Sequence, residues 1–178
     1  MSVRVRFAPS PTGPLHLGSA MTAVANYLFA HRAGGVFVLR VDDTDAVRSE
    51  RRFERSVHQD AEWLGLRFDE GPGIGGASGP YRQSERGELY AKAAADLLGR
   101  GCAYRCFCSE GALEQARAAA EAAGRPFRYD RRCAGIPPQE AAARVAAGAS
   151  FAVRLDAPPG PIEIADAARG KVVIPDGV

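Results

Sequence analysis

A strand, a rigid turn and a helix in immediate succession constrain this chain more than any other feature. Val3, Val5 and Phe7 alternate with Arg4 and Arg6, the period-two pattern of a strand with one face on a core. The run Ala8-Pro9-Ser10-Pro11-Thr12-Gly13-Pro14-Leu15-His16-Leu17-Gly18-Ser19 follows, and its three prolines and two glycines set an open path. Ala20 to Arg32 then reads as a helix capped by Ser19, with Gly34 just past its end. Gly18 admits close backbone approach by a ligand, and the helix start offers unpaired N–H groups and a positive dipole end. With His16 at its lip as a donor to a phosphate oxygen, the turn implies a nucleotide triphosphate site built without a glycine-rich Walker loop.

Val36 to Val41 is a nearly continuous apolar run, as expected of a buried parallel strand. Strand, helix and strand at this spacing make a right-handed βαβ unit. Asp42 then falls at the carboxyl end of the second strand, the edge at which open α/β sheets bind ligands. Ser49 reads as the cap of a helix to about Leu64, with Trp63, Leu64 and Leu66 as core. Residues 69–80 hold five glycines and two prolines and read as a flexible passage. Beyond it, Ser84 is expected to cap a helix to about Leu98, and Ala103 to Cys108 to form a short strand. Ser109 is expected to cap an alanine-rich helix stopping before Gly124. A further helix, Gln139 to Ala147, is entered through Pro137-Pro138. Strand-like runs follow at 150–155, 161–164 and 171–174, and the chain ends in strand-like sequence at Asp176-Gly177-Val178.

With 178 residues, 46% hydrophobic and 25% charged, the chain has room for one good-sized core or two small ones. No apolar run has the length of a membrane span, and the N-terminus lacks a secretory pattern. A cytoplasmic location with the four cysteines reduced is therefore expected. The net charge of +2 neither requires nor excludes an RNA partner. All basic residues except Lys92 and Lys171 are arginine, the side chain suited to forked phosphate contact.

Cys106 and Cys108 are two apart, Cys133 follows after 24 intervening residues, and Tyr129 lies four before it. Three thiolates with a fourth donor bind zinc tetrahedrally; inert buried cysteines are the other reading, and Cys102 fits that one. Arg125, Arg128, Arg131 and Arg132 fall in one short stretch opposed locally only by Asp130. It reads either as a phosphate-contacting loop or as a solvated charge run.

The run from Arg6 to Ser19 resembles the His-Ile-Gly-His-type signature of class I aminoacyl-tRNA synthetases, in the form used by glutamyl-tRNA synthetases. Arg40-Val41-Asp42-Asp43-Thr44-Asp45 resembles that family's Arg-Ile-Glu-Asp-Thr-Asp motif. Gly79-Pro80-Tyr81-Arg82-Gln83-Ser84-Glu85-Arg86 and Tyr104-Arg105-Cys106-Phe107-Cys108 match its later blocks in order.

The resemblance implies an α/β fold. Residues 1–71 would be the first half of a Rossmann-type catalytic domain, and 72–178 an inserted α+β subdomain that binds zinc and the tRNA acceptor arm. It implies ATP-dependent activation of L-glutamate to glutamyl-adenylate and transfer to tRNA, with Mg2+ accompanying the ATP. By the same likeness His16 and Gly18 are catalytic, and Arg6, Ala8, Ser10 and Asp42 bind glutamate. Pro9, Pro11, Thr12, Gly13, His16, Gly18 and Ser19 surround ATP, and Cys106, Cys108, Tyr129 and Cys133 hold zinc. Asp42 departs from the family's glutamate by one methylene but keeps the charge that meets the substrate ammonium. Asp43 and Asp45 instead suit bonds to backbone N–H groups of the turn.

Two alternatives stay open at this point. The related glutamyl-queuosine tRNA(Asp) synthetases share the cysteine arrangement and use a tyrosine at the position of Tyr129. A non-catalytic zinc and nucleotide-binding module is the other, because the family's Lys-Met-Ser-Lys-Ser-type loop has no match. Neither Lys92 nor Lys171 precedes a serine. The expectation is an N-terminal portion of a longer enzyme, inactive alone and completed by a C-terminal half.

Overall fold

The computed structural model describes residues 3–45, 47–157, 160–167 and 169–175. The terminal Asp176-Gly177-Val178, read above as strand-like, lies outside them. The chain separates into two compact units, Met1–Tyr90 and Ala91–Val178.

The first unit begins β1 (Arg4–Phe7), α1 (Leu17–Arg32), β2 (Val36–Leu39) and α2 (Arg51–Trp63), and later makes a 3₁₀ turn at Gln83–Arg86. β1 and β2 pair in parallel from Arg4 opposite Val36 to Phe7 opposite Leu39, the expected βαβ unit. Phe7, Phe37 and Leu39 join Ala23 and Ala30 of α1 and Val57 and Ala61 of α2 in one core. Phe37 is its centre, 1% exposed, stacked on Phe68 at 4.8 Å and edge-on to Tyr27 at 5.7 Å. Truncating such a side chain to alanine costs about 3–5 kcal/mol.

Four local expectations in this unit give way to longer-range contacts. α1 starts at Leu17 rather than Ala20, and its cap is His16, whose ring nitrogen accepts from the Ser19 N–H. α2 is entered through Glu50 with no side-chain cap, and the Ser49 hydroxyl is buried without a hydrogen-bond partner among the described residues. Ser84 does not open a helix, because its N–H and hydroxyl both donate to the Asp43 carboxylate, at 2.8 and 2.6 Å. Trp63 is 85% exposed rather than in the core. The buried positions of α2 are Glu54, Val57 and Ala61, and Trp63 lies about 200° round the helix from Ala61.

The glycine-rich passage is anchored rather than loose. The Leu39 N–H donates to the Glu70 carbonyl at 2.8 Å, and the Asp69 N–H donates to Phe37 at 2.9 Å. The Asp69 carboxylate takes the Phe37 N–H at 2.7 Å. Glu70 is gripped at both oxygens by Arg4, at 3.0 and 2.7 Å, and accepts from the Tyr81 hydroxyl at 2.7 Å. Arg4, one of the two arginines of the strand alternation, is thereby a tether.

The chain continues through α3 (Gly87–Gly99), β3 (Ala103–Cys106), α4 (Glu110–Ala122), α5 (Pro138–Ala146), β4 (Ala152–Leu155), β5 (Ile162–Asp166) and β6 (Gly170–Ile174). β3 pairs antiparallel with β4, and β5 with β6. Ser109 caps α4 as expected, its hydroxyl accepting from the Ala112 N–H. Among the described residues of this second unit only Ala103, Cys106, Cys133 and Ala141 are buried. Such a sparse apolar interior needs another source of cohesion, and two of its four members are cysteines.

Candidate functional site

At the carboxyl end of the parallel pair, backbone bonds fix where each side chain stands. The Arg40 N–H donates to Phe7 at 2.9 Å and the Asp42 N–H to Pro9 at 3.0 Å, so the second strand's end runs beside the turn. The Glu50 N–H donates to Pro11 at 2.9 Å, pinning the turn from the start of α2. These anchors open a cleft of about 600 Å³ lined by Arg6, Ala8, Pro9, Ser10, Thr12, Gly13, His16 and Ser19, with Val57 from α2. Eight of the sequence-predicted site residues thus share one surface. Pro11 is buried beneath the turn, and Gly18 and Asp42 do not line this cleft.

His16 is engaged with α1 itself. Its Nδ1 accepts from the Ser19 N–H at 3.3 Å, and its Nε2 lies 3.0 Å from the Ser19 hydroxyl. A Cβ on Gly18 would stand 3.2 Å from the imidazole Cε1, closer than ordinary contact. Gly18 therefore leaves room for the ring to fold back over the helix start.

The Arg6 side chain is exposed and makes no ion pair or hydrogen bond among the described residues. It borders the turn cleft and also a smaller one of about 210 Å³ shared with Arg40, Tyr81 and Arg86. Asp42 is held at both oxygens by Arg40, at 2.6 and 2.7 Å, a fork that the sequence reading did not anticipate. Burial works against the charge on Asp43, but the Ser84 hydroxyl and N–H outweigh it and hold the carboxyl below its usual range. Asp45 accepts the Arg48 N–H at 3.1 Å, the local turn bond expected of it.

In the second unit β3 ends on Cys106, and Cys108 follows just before the Ser109 cap. The chain returns with Tyr129 and Cys133. Cys106, Cys108 and Cys133 have their sulfurs within 4.8 Å of one another, and Cys108 and Cys133 are 3.7 Å apart. The Tyr129 Oη lies 3.2 Å from the Cys106 sulfur and 3.4 Å from that of Cys108. A tetrahedron with Zn–S bonds of about 2.3 Å has S···S edges of about 3.8 Å, so the donor set fits zinc in size and in softness. Cys102 stands apart, partly buried, with its sulfur 3.8 Å from the Arg100 carbonyl.

The electrostatics suit metal binding. Burial opposes ionisation of Cys106, yet hydrogen bonds from Tyr129 and Arg154 stabilise its thiolate and hold the pKa at about 6. Tyr129 donates to Cys108, but burial and the neighbouring sulfurs of Cys106 and Cys133 leave that thiol raised. Burial, then the bonds to the sulfurs, raise the Tyr129 hydroxyl. Arg154, which the sequence reading missed, puts its guanidinium 4.0 Å from the centre of the Tyr129 ring. Its only sequence signal is the strand-like alternation around it, and pairing alone shows which face it occupies.

The arginine stretch is largely engaged at its end. Arg132 binds Asp130, and Arg131 binds Asp156. Arg125 and Arg128 border a cavity of about 320 Å³ floored by alanines of α4.

Residues 2–177 match the family model of the class I tRNA synthetases (E and Q), catalytic domain. A glutamate–tRNA ligase of Rhizobium etli (strain CIAT 652) is 49% identical over 174 residues, covering 97% of this chain and 36% of that protein. The glutamate–tRNA ligase of Symbiobacterium thermophilum is 47% identical over 98% of this chain and 36% of its own length. The crystal structure of a glutamate tRNA ligase from Elizabethkingia meningosepticum in complex with its amino acid is similar with a TM-score of 0.87, at 39% identity over 98% of this chain and 36% of that one. The glutamate-tRNA synthetase of Elizabethkingia anophelis is similar with a TM-score of 0.88, at 38% identity over 100% of this chain and 38% of that one. The chain thus spans about a third of the length of the curated relatives it matches. A rigid parallel-strand turn with a histidine-capped helix, extended by a cysteine-bearing second unit, accords with that match: the chain belongs to the class I tRNA synthetases (E and Q), within their catalytic domain.

Proposed function

We propose that this chain is the first part of a glutamate–tRNA ligase, which joins L-glutamate to ATP as glutamyl-adenylate and passes the acyl group to a tRNA. Residues 1–71 serve as the first half of the nucleotide-binding domain and 72–178 as the inserted subdomain. In the first step a glutamate α-carboxylate oxygen attacks the α-phosphorus of ATP, and the bond to pyrophosphate breaks. Charge builds on the phosphate oxygens, so positioned donors lower the barrier. The first N–H groups of α1 and the His16 ring supply them, His16 exchanging Ser19 for a phosphate oxygen. Pro9, Pro11, Thr12, Gly13, Gly18 and Ser19 shape the nucleotide's bed.

The observation that carries this reading is Arg6, an unpaired guanidinium shared by two adjoining clefts. It answers the substrate side-chain carboxylate through a forked pair of hydrogen bonds, with Ala8 and Ser10 alongside. Asp42, steadied by Arg40, faces the α-ammonium. The described residues form no cluster of three metal-ligating side chains at the turn, and Mg2+ is assigned to the nucleotide's phosphates. Zinc would be held by Cys106, Cys108, Cys133 and Tyr129, where it ties together a weakly packed unit and supplies no reaction chemistry. Arg125 and Arg128, which border the cavity over the α4 alanines, are assigned to phosphates of a tRNA acceptor arm. The relatives' names support this reading over the glutamyl-queuosine one.

The test is a chimera in which this chain replaces the matching third of the Rhizobium etli ligase. Glutamate-dependent ATP–pyrophosphate exchange is expected, together with its loss in Arg6→Ala. A folded chimera without exchange, or one indifferent to Arg6, overturns the proposal.

A further inference from the structure

Arg154 is half-buried and makes no ion pair with any carboxylate among the described residues. Its Nε is buried with no hydrogen-bond acceptor. A guanidinium in that condition is costly unless another negative group answers it. Its central carbon stands 4.0 Å from the centre of the Tyr129 ring, and the negative group that most favours its charge is Cys106.

Strand pairing explains how it arrives there. Cys106 lies opposite Ala152, and Tyr104 opposite Arg154. Residues two apart on a strand share a face, and diagonal neighbours are within reach of long side chains. Arg154 therefore crosses diagonally toward Cys106 over the small Ala152 side chain and continues to the face of Tyr129.

We propose that Arg154 is the positioning residue and counter-charge of the Cys106, Cys108, Tyr129 and Cys133 site, keeping the Tyr129 oxygen on the metal. The inference rests on the zinc reading above. Zinc held by three thiolates and a phenolate carries a net double negative charge, and tyrosine is an uncommon ligand beside cysteine. A cation over the ring face attracts the electron-rich π system and favours negative charge at the phenolic oxygen. The same cation stands diagonally across the strand pair from Cys106, a ligating sulfur, so one side chain serves two donors. Partners behind metal ligands are worth about 10- to 100-fold in affinity.

The experiment loads this chain with Zn2+ or Co2+ alone and reads two quantities, affinity against a chromophoric chelator and the visible absorption of the Co2+ form. Arg154→Ala should weaken binding by about 10- to 100-fold, with a Co2+ spectrum that moves toward that of Tyr129→Phe. Arg154→Lys should recover part of the affinity. In a Tyr129→Phe background Arg154→Ala should cost less than in the native chain, because one of its two targets is gone. Unchanged affinity and spectrum in Arg154→Ala overturn the inference, as does an equal loss in both backgrounds. Should the alanine variant fail to fold, Arg154→Gln gives the neutral comparison at near-native length. A native chain that binds neither metal sinks the zinc reading and this inference together, whereas a native chain that binds through all four donors but ignores Arg154 sinks this inference alone.

Discussion

His16 and Ser19 hold each other at the start of α1: the Ser19 N–H donates to one ring nitrogen at 3.3 Å, and its hydroxyl lies 3.0 Å from the other. The residue assigned to the phosphates is therefore also the helix cap. Two variants separate the roles. His16→Ala removes both, costing about 1 kcal/mol of stability and roughly 3 kcal/mol of transition-state stabilisation. His16→Asn keeps a good cap but not the imidazole, so thermal unfolding should stay near native while exchange by the chimera still falls. If exchange survives in His16→Asn, the residue is a cap and nothing more.

Asp42 should act through its charge. Arg40 already occupies both carboxylate oxygens, which fixes the group and leaves further lone pairs for an ammonium. Asp42→Asn should raise the KM for glutamate in the chimera by at least tenfold, while Asp42→Glu retains most of the binding. Equal behaviour of the two variants would remove Asp42 from the pocket.

Asp43 makes a prediction about pH. Its carboxyl is lowered in the folded chain because, despite burial, Ser84 donates to both oxygens. A carboxyl lowered on folding stabilises fully above its unfolded value, near pH 4, and that stability disappears as pH falls through the folded value. Asp43→Asn should therefore be less stable than native at about pH 7, with the gap closing below about pH 4. Urea unfolding at a series of pH values measures it, and a gap independent of pH would assign the loss to geometry instead of charge.

Metal removal should act locally. The second unit has only four buried residues among those described, two of them ligands. Purified chain should carry about one zinc in this tetrahedral scheme, falling sharply in Cys106→Ser or Cys133→Ser. A chelator should raise amide exchange around Cys106–Cys108 and Tyr129–Cys133 while β1, α1 and β2 stay protected, since binding to the folded state alone adds to its stability. Uniform loss of protection along the chain would contradict this.

Much of the molecule follows from sequence alone, because the forces involved are local. Alternation in β1, the apolar run of β2 and the Ser109 cap of α4 each depend on neighbours a few residues away. The cysteine spacing is readable for the same reason, since thiolates themselves carry the chemistry, whereas Tyr129 as their fourth partner comes from the family resemblance. What tertiary structure alone decided are the competitions between local and distant partners. Ser84 reads as a cap, yet Asp43, 41 residues earlier, takes both its donors. Residues 69–80 read as loose, yet Arg4 reaches Glu70 across 66 residues. Trp63 reads as core, yet the face of α2 that meets the sheet excludes it. Arg154 carries no motif, and only the register of β4 on β3 delivers it to Tyr129. Local propensity is worth tenths of a kcal/mol to about one per residue, and a charged pair or a buried face outweighs it once folding brings distant segments together.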